Sequence, residues 1–173
     1  MAHGQNVPLE TPPRDLAVPH RTSSFQEICG LTFEYMDHTA DVAVRLRCAD
    51  AAHLFRDATL AVQGILVDIQ ESRPLEPLIS DPVDLESEDG ESLLVDYLNE
   101  IIFRFDTRRL LPASLEVAEI SLGRPSRLKA ALRGEIMDPR KHRLRTEIKA
   151  ATFHALQIRE MPSGLEAEVV FDL

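Results

Sequence analysis

Asp37-His38-Thr39-Ala40-Asp41-Val42-Ala43-Val44-Arg45-Leu46-Arg47-Cys48 is the stretch around which the rest of the chain is arranged. From Val42 onward, Val42, Val44, Leu46 and Cys48 alternate with Ala43, Arg45 and Arg47, the period of a strand with one buried face. Upstream, Leu31 to Tyr35 is short, apolar and β-branched, and reads as a second strand. Residues 37–41 are therefore a connection or a strand start. They hold a His and two carboxylates, a dense set of ligands and proton carriers on a loop, where function tends to sit. Plain turn chemistry accounts for the same residues equally well, because short polar side chains bond nearby backbone.

Working outward, Asp50 is placed to cap a helix in which Leu54, Phe55, Ala58, Ala61 and Val62 recur at helical spacing, with Gly64 as its stop. Ile65 to Ile69 reads as a short apolar strand, and Glu71 to Ile79, with two prolines, as loop. Val83 and Leu85 mark a further strand that ends in the turn Glu86 to Gly90. From Glu91 to Asp106, Leu94, Leu98, Ile101 and Phe105 share one helical face, predicting the longest helix, packed on a sheet. Its Asp96, Asn99 and Glu100 read as the polar boundary of that helix and receive no chemistry.

The back third reads as strand. Leu115 and Val117 change phase with Ile120 and Leu122 at Ala118-Glu119, the mark of a β-bulge, and Gly123 to Ser126 turns into Leu128, Ala130 and Leu132. Gly134-Glu135 and Asp138-Pro139 predict an irregular region, Thr146 to Ile158 a strand, and Pro162 to Gly164 a hairpin turn into the strand Leu165 to Leu173. In that last strand Leu165, Ala167, Val169, Phe171 and Leu173 share a face, which leaves Asp172 on the more polar side. Its carboxylate and the terminal carboxylate of Leu173 are neighbours by covalent geometry. Two such anions repel unless solvated, paired with a base, or bridged by a cation.

Composition narrows the function classes. A chain of 173 residues, 44% hydrophobic, suits one domain with a real core. No apolar run reaches the length of a membrane span and no secretory signal opens the chain, so a cytoplasmic protein is expected. Residues 1–24, with four prolines and no periodicity, read as a disordered tail ahead of a domain over 25–173. The two cysteines, Cys29 and Cys48, make no disulfide framework, and Cys48 reads as a buried thiol. The net charge of −10 disfavours general nucleic-acid binding. Arg140 to Arg145 is the one basic run that could dock an acidic partner, or simply form a solvated charged turn.

Three segments together resemble the archease family, accessory proteins of RtcB-type RNA ligases. They are Asp37 to Val42, Leu93-Leu94-Val95-Asp96-Tyr97-Leu98-Asn99-Glu100, and Glu147 to His154 with the ending Val170-Phe171-Asp172-Leu173. Gly134-Glu135 and Asp138 also stand where the family has such residues. Phe153 replaces a common Tyr, Leu165 a common Trp, and the chain has no Trp.

The resemblance implies an α+β single domain, two main helices packed on a largely antiparallel or mixed sheet scaffold. It further implies a divalent metal held by Asp41, Asp172 and the terminal carboxylate of Leu173, an oxygen set suited to Ca²⁺, Mg²⁺ or Mn²⁺. His38 would contribute a ring nitrogen or orient the ligands, with a structural His bonded to backbone as the alternative. Lys149 would serve activation, or be a surface lysine. The implied function is not catalytic. It is promotion of the ligase's guanylylation, and so of multiple turnover, in tRNA splicing and RNA repair. A metal-dependent hydrolase and a chaperone-like module with a structural metal are the alternatives.

Overall fold

The computed structural model describes residues 25–28, 31–35, 41–68, 71–72, 75–154 and 156–173, with side chains from residue 41 onward. Alternation sets the larger sheet. Strand β3 (Asp41–Cys48) buries Val42, Val44 and Leu46 and pairs antiparallel with β9 (Gly164–Asp172), which buries Ala167, Val169 and Phe171 on the same face. With β1 (Phe25–Ile28), β2 (Leu31–Tyr35), β7 (Ala150–Thr152) and β8 (Ile158–Met161) they form a six-stranded sheet in the order β1-β2-β3-β9-β7, with β8 also on β9. The three-stranded sheet runs β4 (Ile79–Ser87), β6 (Ser126–Ile136), β5 (Leu110–Ser121). Every ladder among the described strands is antiparallel.

Two helices fill the space between the sheets. Helix α1 (Ala51–Leu66) packs on β3 and β5; α2 (Gly90–Arg108) packs on β4, β5 and β6 and on β7. Their N-caps follow the sequence: the Asp50 carboxylate accepts the His53 N–H and the Asp89 carboxylate accepts the Ser92 N–H, each at 2.9 Å. The helices meet at Thr59 and Tyr97, whose hydroxyls lie 2.5 Å apart, with Phe55 tilted against the Tyr97 ring. Burial pushes the Tyr97 phenol above its usual range. The result is an α+β domain with one continuous core.

Four sequence readings change. Gly64 does not stop α1; it is buried within the helix, which runs on to Leu66, so no strand begins at Ile65, and among the described residues Val67 forms a single bridge, to Leu144. Gly134 and Glu135 lie inside β6 rather than in an irregular region, because a Cβ at Gly134 would stand 2.5 Å from the Leu111 carbonyl oxygen and the strands could not approach. Among the described residues, the stretch Thr146 to Ile158 is strand over Ala150–Thr152 and again at Ile158, where β8 begins. A turn closed by Leu156 N–H on Phe153 O splits it, and β9 is flanked by two short strands instead of one long one. The bulge at Ala118 is present, as a register shift between Val117 and Glu119. The expected tail, residues 1–24, and Cys29 lie outside the described residues.

Arg104 ties α2 to the smaller sheet. Only 9% of its side chain is exposed; it donates to Glu100 Oε1 at 2.8 Å and to the Pro82 carbonyl at 2.9 Å, and pairs with Asp81. A buried guanidinium needs such partners on several sides, because leaving its charge unmatched would cost several kcal/mol, of order 3–5.

Candidate functional site

The face of the β3–β9 pair turned away from the helices carries the charges. Arg47 sits opposite Glu166 and Arg45 opposite Glu168, and both pairs close to 2.7 Å. The Arg47 contact holds the Glu166 carboxyl below its ordinary range. Ala43 and Val170, both 6% exposed, form the next rung. The last rung breaks the pattern, for Asp41 stands opposite Asp172. Like charges directly across a strand pair repel, whereas the other two charged rungs attract.

Lys149 brings a cation to this rung. Its backbone N–H donates to the Asp172 carbonyl at 2.8 Å, its Nζ donates to the Leu173 main-chain oxygen at 2.5 Å, and Nζ lies 3.7 Å from Asp172 Oδ1. The cluster is open to solvent, with 66% of the Lys149 side chain and 46% of the Asp172 side chain exposed. Leu173 packs its side chain against the core, which fixes the strand end. Four of the residues singled out from the sequence, Asp41, Lys149, Asp172 and Leu173, thus meet at one sheet end. His38 lies outside the described residues.

As donors, Asp41 and Asp172 offer hard anionic oxygen and the Leu173 main chain a further oxygen, with no thiolate, a set whose chemistry suits Ca²⁺, Mg²⁺ or Mn²⁺. The side chains alone do not complete a site: among the described residues, no group of three or more His, Cys, Asp and Glu side chains is gathered to hold a metal. A third protein oxygen would have to come from the Leu173 main chain.

The basic run Arg140 to Arg145 carries its charges as ion pairs at the surface, with 90% of the Arg140 side chain and 66% of the Arg143 side chain exposed. Arg140 pairs with Asp138, Lys141 with Glu135 at 2.9 Å, and Arg143 with Glu71. His142 is buried, and its Nδ1 accepts the Asp138 N–H at 3.0 Å. These contacts fold the segment back onto the domain. The sequence reading missed Asn99, whose side chain bonds the main chain of Ala151 in β7 from both amide atoms. Its place in the segment Leu93 to Glu100 was a signal; its amphipathic position masked it.

A family model described as the archease protein family (MTH1598/TM1083) matches residues 33–173. The chain belongs to the archease family. The archease of Thermococcus gammatolerans is 33% identical over 132 residues, 76% of this chain and 91% of that protein. The archease of Methanosarcina mazei is 33% identical over 149 residues, 83% and 97% of the two chains. The solution structure of Methanobacterium thermoautotrophicum protein 1598 is 32% identical and aligns with a TM-score of 0.66 over 83% of this chain and 99% of that one. A 2.0 Å crystal structure from Thermotoga maritima, described as an archease, possible chaperone, is 21% identical with a TM-score of 0.50 over 80% and 95% of the chains, and speaks to the archease fold alone. Among the described residues, no helix is long and apolar enough to cross a membrane.

Proposed function

We propose that this archease is an accessory protein, not itself an enzyme, that promotes guanylylation of an RtcB-type RNA ligase and so its repeated turnover in tRNA splicing and RNA repair. The observation that carries the reading is the Asp41–Asp172 rung. A fold that matches opposite charges on its other charged rungs here sets two carboxylates face to face, with Lys149 beside them.

Asp41, Asp172 and the carboxyl oxygens of Leu173 would hold a divalent cation, which when bound supplies positive charge that phosphoryl transfer to the ligase can use. The chain's own part is positional. The β3–β9 ladder fixes the two carboxylates on one face and the Leu173 side chain anchors the strand end in the core, while the Lys149 ammonium, on a Leu173 oxygen, adds its own positive charge to the face the partner would meet. Open to solvent, this acidic end can approach a second protein's nucleotide pocket, where placement and charge decide the rate.

Single-turnover guanylylation of the cognate ligase, with and without Asp172→Asn, tests the reading. Loss of stimulation with an unchanged melting temperature is expected. Stimulation equal to wild type, with metal removal lowering only the melting temperature, would assign the metal a structural role and refute the proposal.

A further inference from the structure

Strand β7 is only three residues long and lies at one side of the larger sheet. Its Ala150 and Thr152 pair with Asp172 and Val170 of β9. The main-chain groups of Ala151 turn the other way, where an open edge would need a further strand or water. Instead, the Asn99 side chain of α2 takes both: Asn99 Oδ1 accepts the Ala151 N–H at 2.9 Å, and Asn99 Nδ2 donates to the Ala151 carbonyl at 3.2 Å. A carboxamide has the same donor and acceptor as a peptide group, so one side chain stands in for a neighbouring strand.

The adjacent Glu100 reaches in the other direction, through Arg104, to Pro82 of β4. Consecutive residues of α2 therefore fasten the helix to both sheets. Lys149 lies two residues before Ala151 and next to Ile148, which is 2% exposed in the core. Its backbone is held between a buried anchor and the Asn99 clamp, although its own side chain is largely in solvent. A mobile lysine stem loses up to about 2 kcal/mol of rotamer freedom when ordered, so the Lys149–Leu173 contact depends on how well its backbone is fixed.

We propose that Asn99 is a positioning residue for Lys149: by bracketing the Ala151 main chain it sets the register of β7 on β9 and holds the Lys149 ammonium against Asp172 and Leu173. That Lys149 then matters for a partner rests on the reading given under Proposed function. The placement itself does not.

The two are tested separately. The chain has three lysines, Lys129, Lys141 and Lys149, so slow amine acetylation followed by peptide mass spectrometry reads each one against the others. In Asn99→Leu, which keeps the bulk and removes both Asn99 hydrogen bonds, Lys149 should be modified about threefold to tenfold faster, the range set by losing the one hydrogen bond from its Nζ to Leu173, with Lys129 unchanged. General loosening would accelerate all three lysines together and would overturn the proposal, as would an unchanged Lys149 rate. Should Asn99→Leu fail to fold, Asn99→Asp keeps the acceptor for the Ala151 N–H but sets an anionic oxygen against the Ala151 carbonyl, and should also give a Lys149-selective acceleration. Its absence in that folded variant overturns the proposal equally.

The second arm measures guanylylation stimulation in the folded variant, expected to fall alongside the labelling change. If Asp172→Asn abolishes stimulation while Asn99→Leu frees Lys149 without lowering it, the placement stands, the placed Lys149 has no part in activation, and the carboxylate-cluster reading survives. If Asp172→Asn has no effect, the functional reading fails, and the labelling result still decides the placement.

Discussion

Replacing Lys149 with Met should make the acidic rung bind divalent cations more tightly while making the protein a poorer activator. Met preserves most of the aliphatic stem and removes the ammonium, which now lies 2.5 Å from the Leu173 oxygen and 3.7 Å from Asp172 Oδ1. That ammonium occupies an oxygen a metal would use and repels a metal on the neighbouring carboxylate. Taking about 5 Å between the two cations and the dielectric of water, Coulomb's law gives roughly 1.7 kcal/mol of repulsion. Screening over a Debye length of about 8 Å halves it to about 0.9 kcal/mol, or roughly a fourfold gain in affinity. Mn²⁺ titration followed by electron paramagnetic resonance, at low and high salt, reads this directly, and the gain should shrink as salt rises. Guanylylation stimulation should fall in the same variant. Weaker Mn²⁺ binding in Lys149→Met would show that the lysine supports the metal site rather than competing with it, and would refute this account.

Three further outcomes follow from other parts of the fold. The Lys141 ammonium and the Glu76 N–H hold the Glu135 carboxyl below the usual range, so its contribution to stability is present above the unfolded carboxylate value and is lost as pH falls through the depressed folded value. Urea midpoints should therefore drop less between pH 7 and 3 in Glu135→Gln than in wild type, and parallel profiles would contradict the assignment. Gly164 has φ of 133° and faces the Cys48 and Ala49 carbonyl oxygens, so Gly164→Ala should destabilise by at least about 2 kcal/mol in chemical denaturation. Burial and the nearby Asp57 push the Cys48 thiol up to about 12, so iodoacetamide at pH 8 should modify it at least about a hundredfold more slowly in the native chain than in urea.

What the sequence disclosed and what it hid divide along the range of the determining interaction. The alternation of Val42 to Cys48 and of Leu165 to Leu173, the caps Asp50 and Asp89, and the bulge at Ala118 all follow from neighbours within a few residues. Gly64 was misread as a stop because glycine weakens helices locally, whereas the buried Val62, Ile65 and Leu66 on either side carry the helix through it. Thr146 to Ile158 is β-branched and still mostly not strand, because the pairing sites of β9 are shared with β8. The partners of Lys141 and Arg143 in the basic run, Glu135 and Glu71, could not be assigned from sequence. At the candidate site, Asp41, Lys149 and Asp172 were legible by resemblance and register, whereas Asn99 was not. Its partner lies 52 positions away and its spacing matches that of any solvent-facing helical residue.

The pairing of β3 with β9 brings together residues such as Arg45 and Glu168, 123 positions apart. Closing so long a loop costs more chain entropy than zipping a local hairpin such as β5–β6, which favours a late docking of β9. The acidic rung at the end of that ladder is consequently a report on completion. An intermediate with the three-stranded sheet formed and β9 undocked would already be collapsed, yet would present no paired carboxylates. Fraying from the β9 end would extinguish the cluster before it disturbed the core beneath α2.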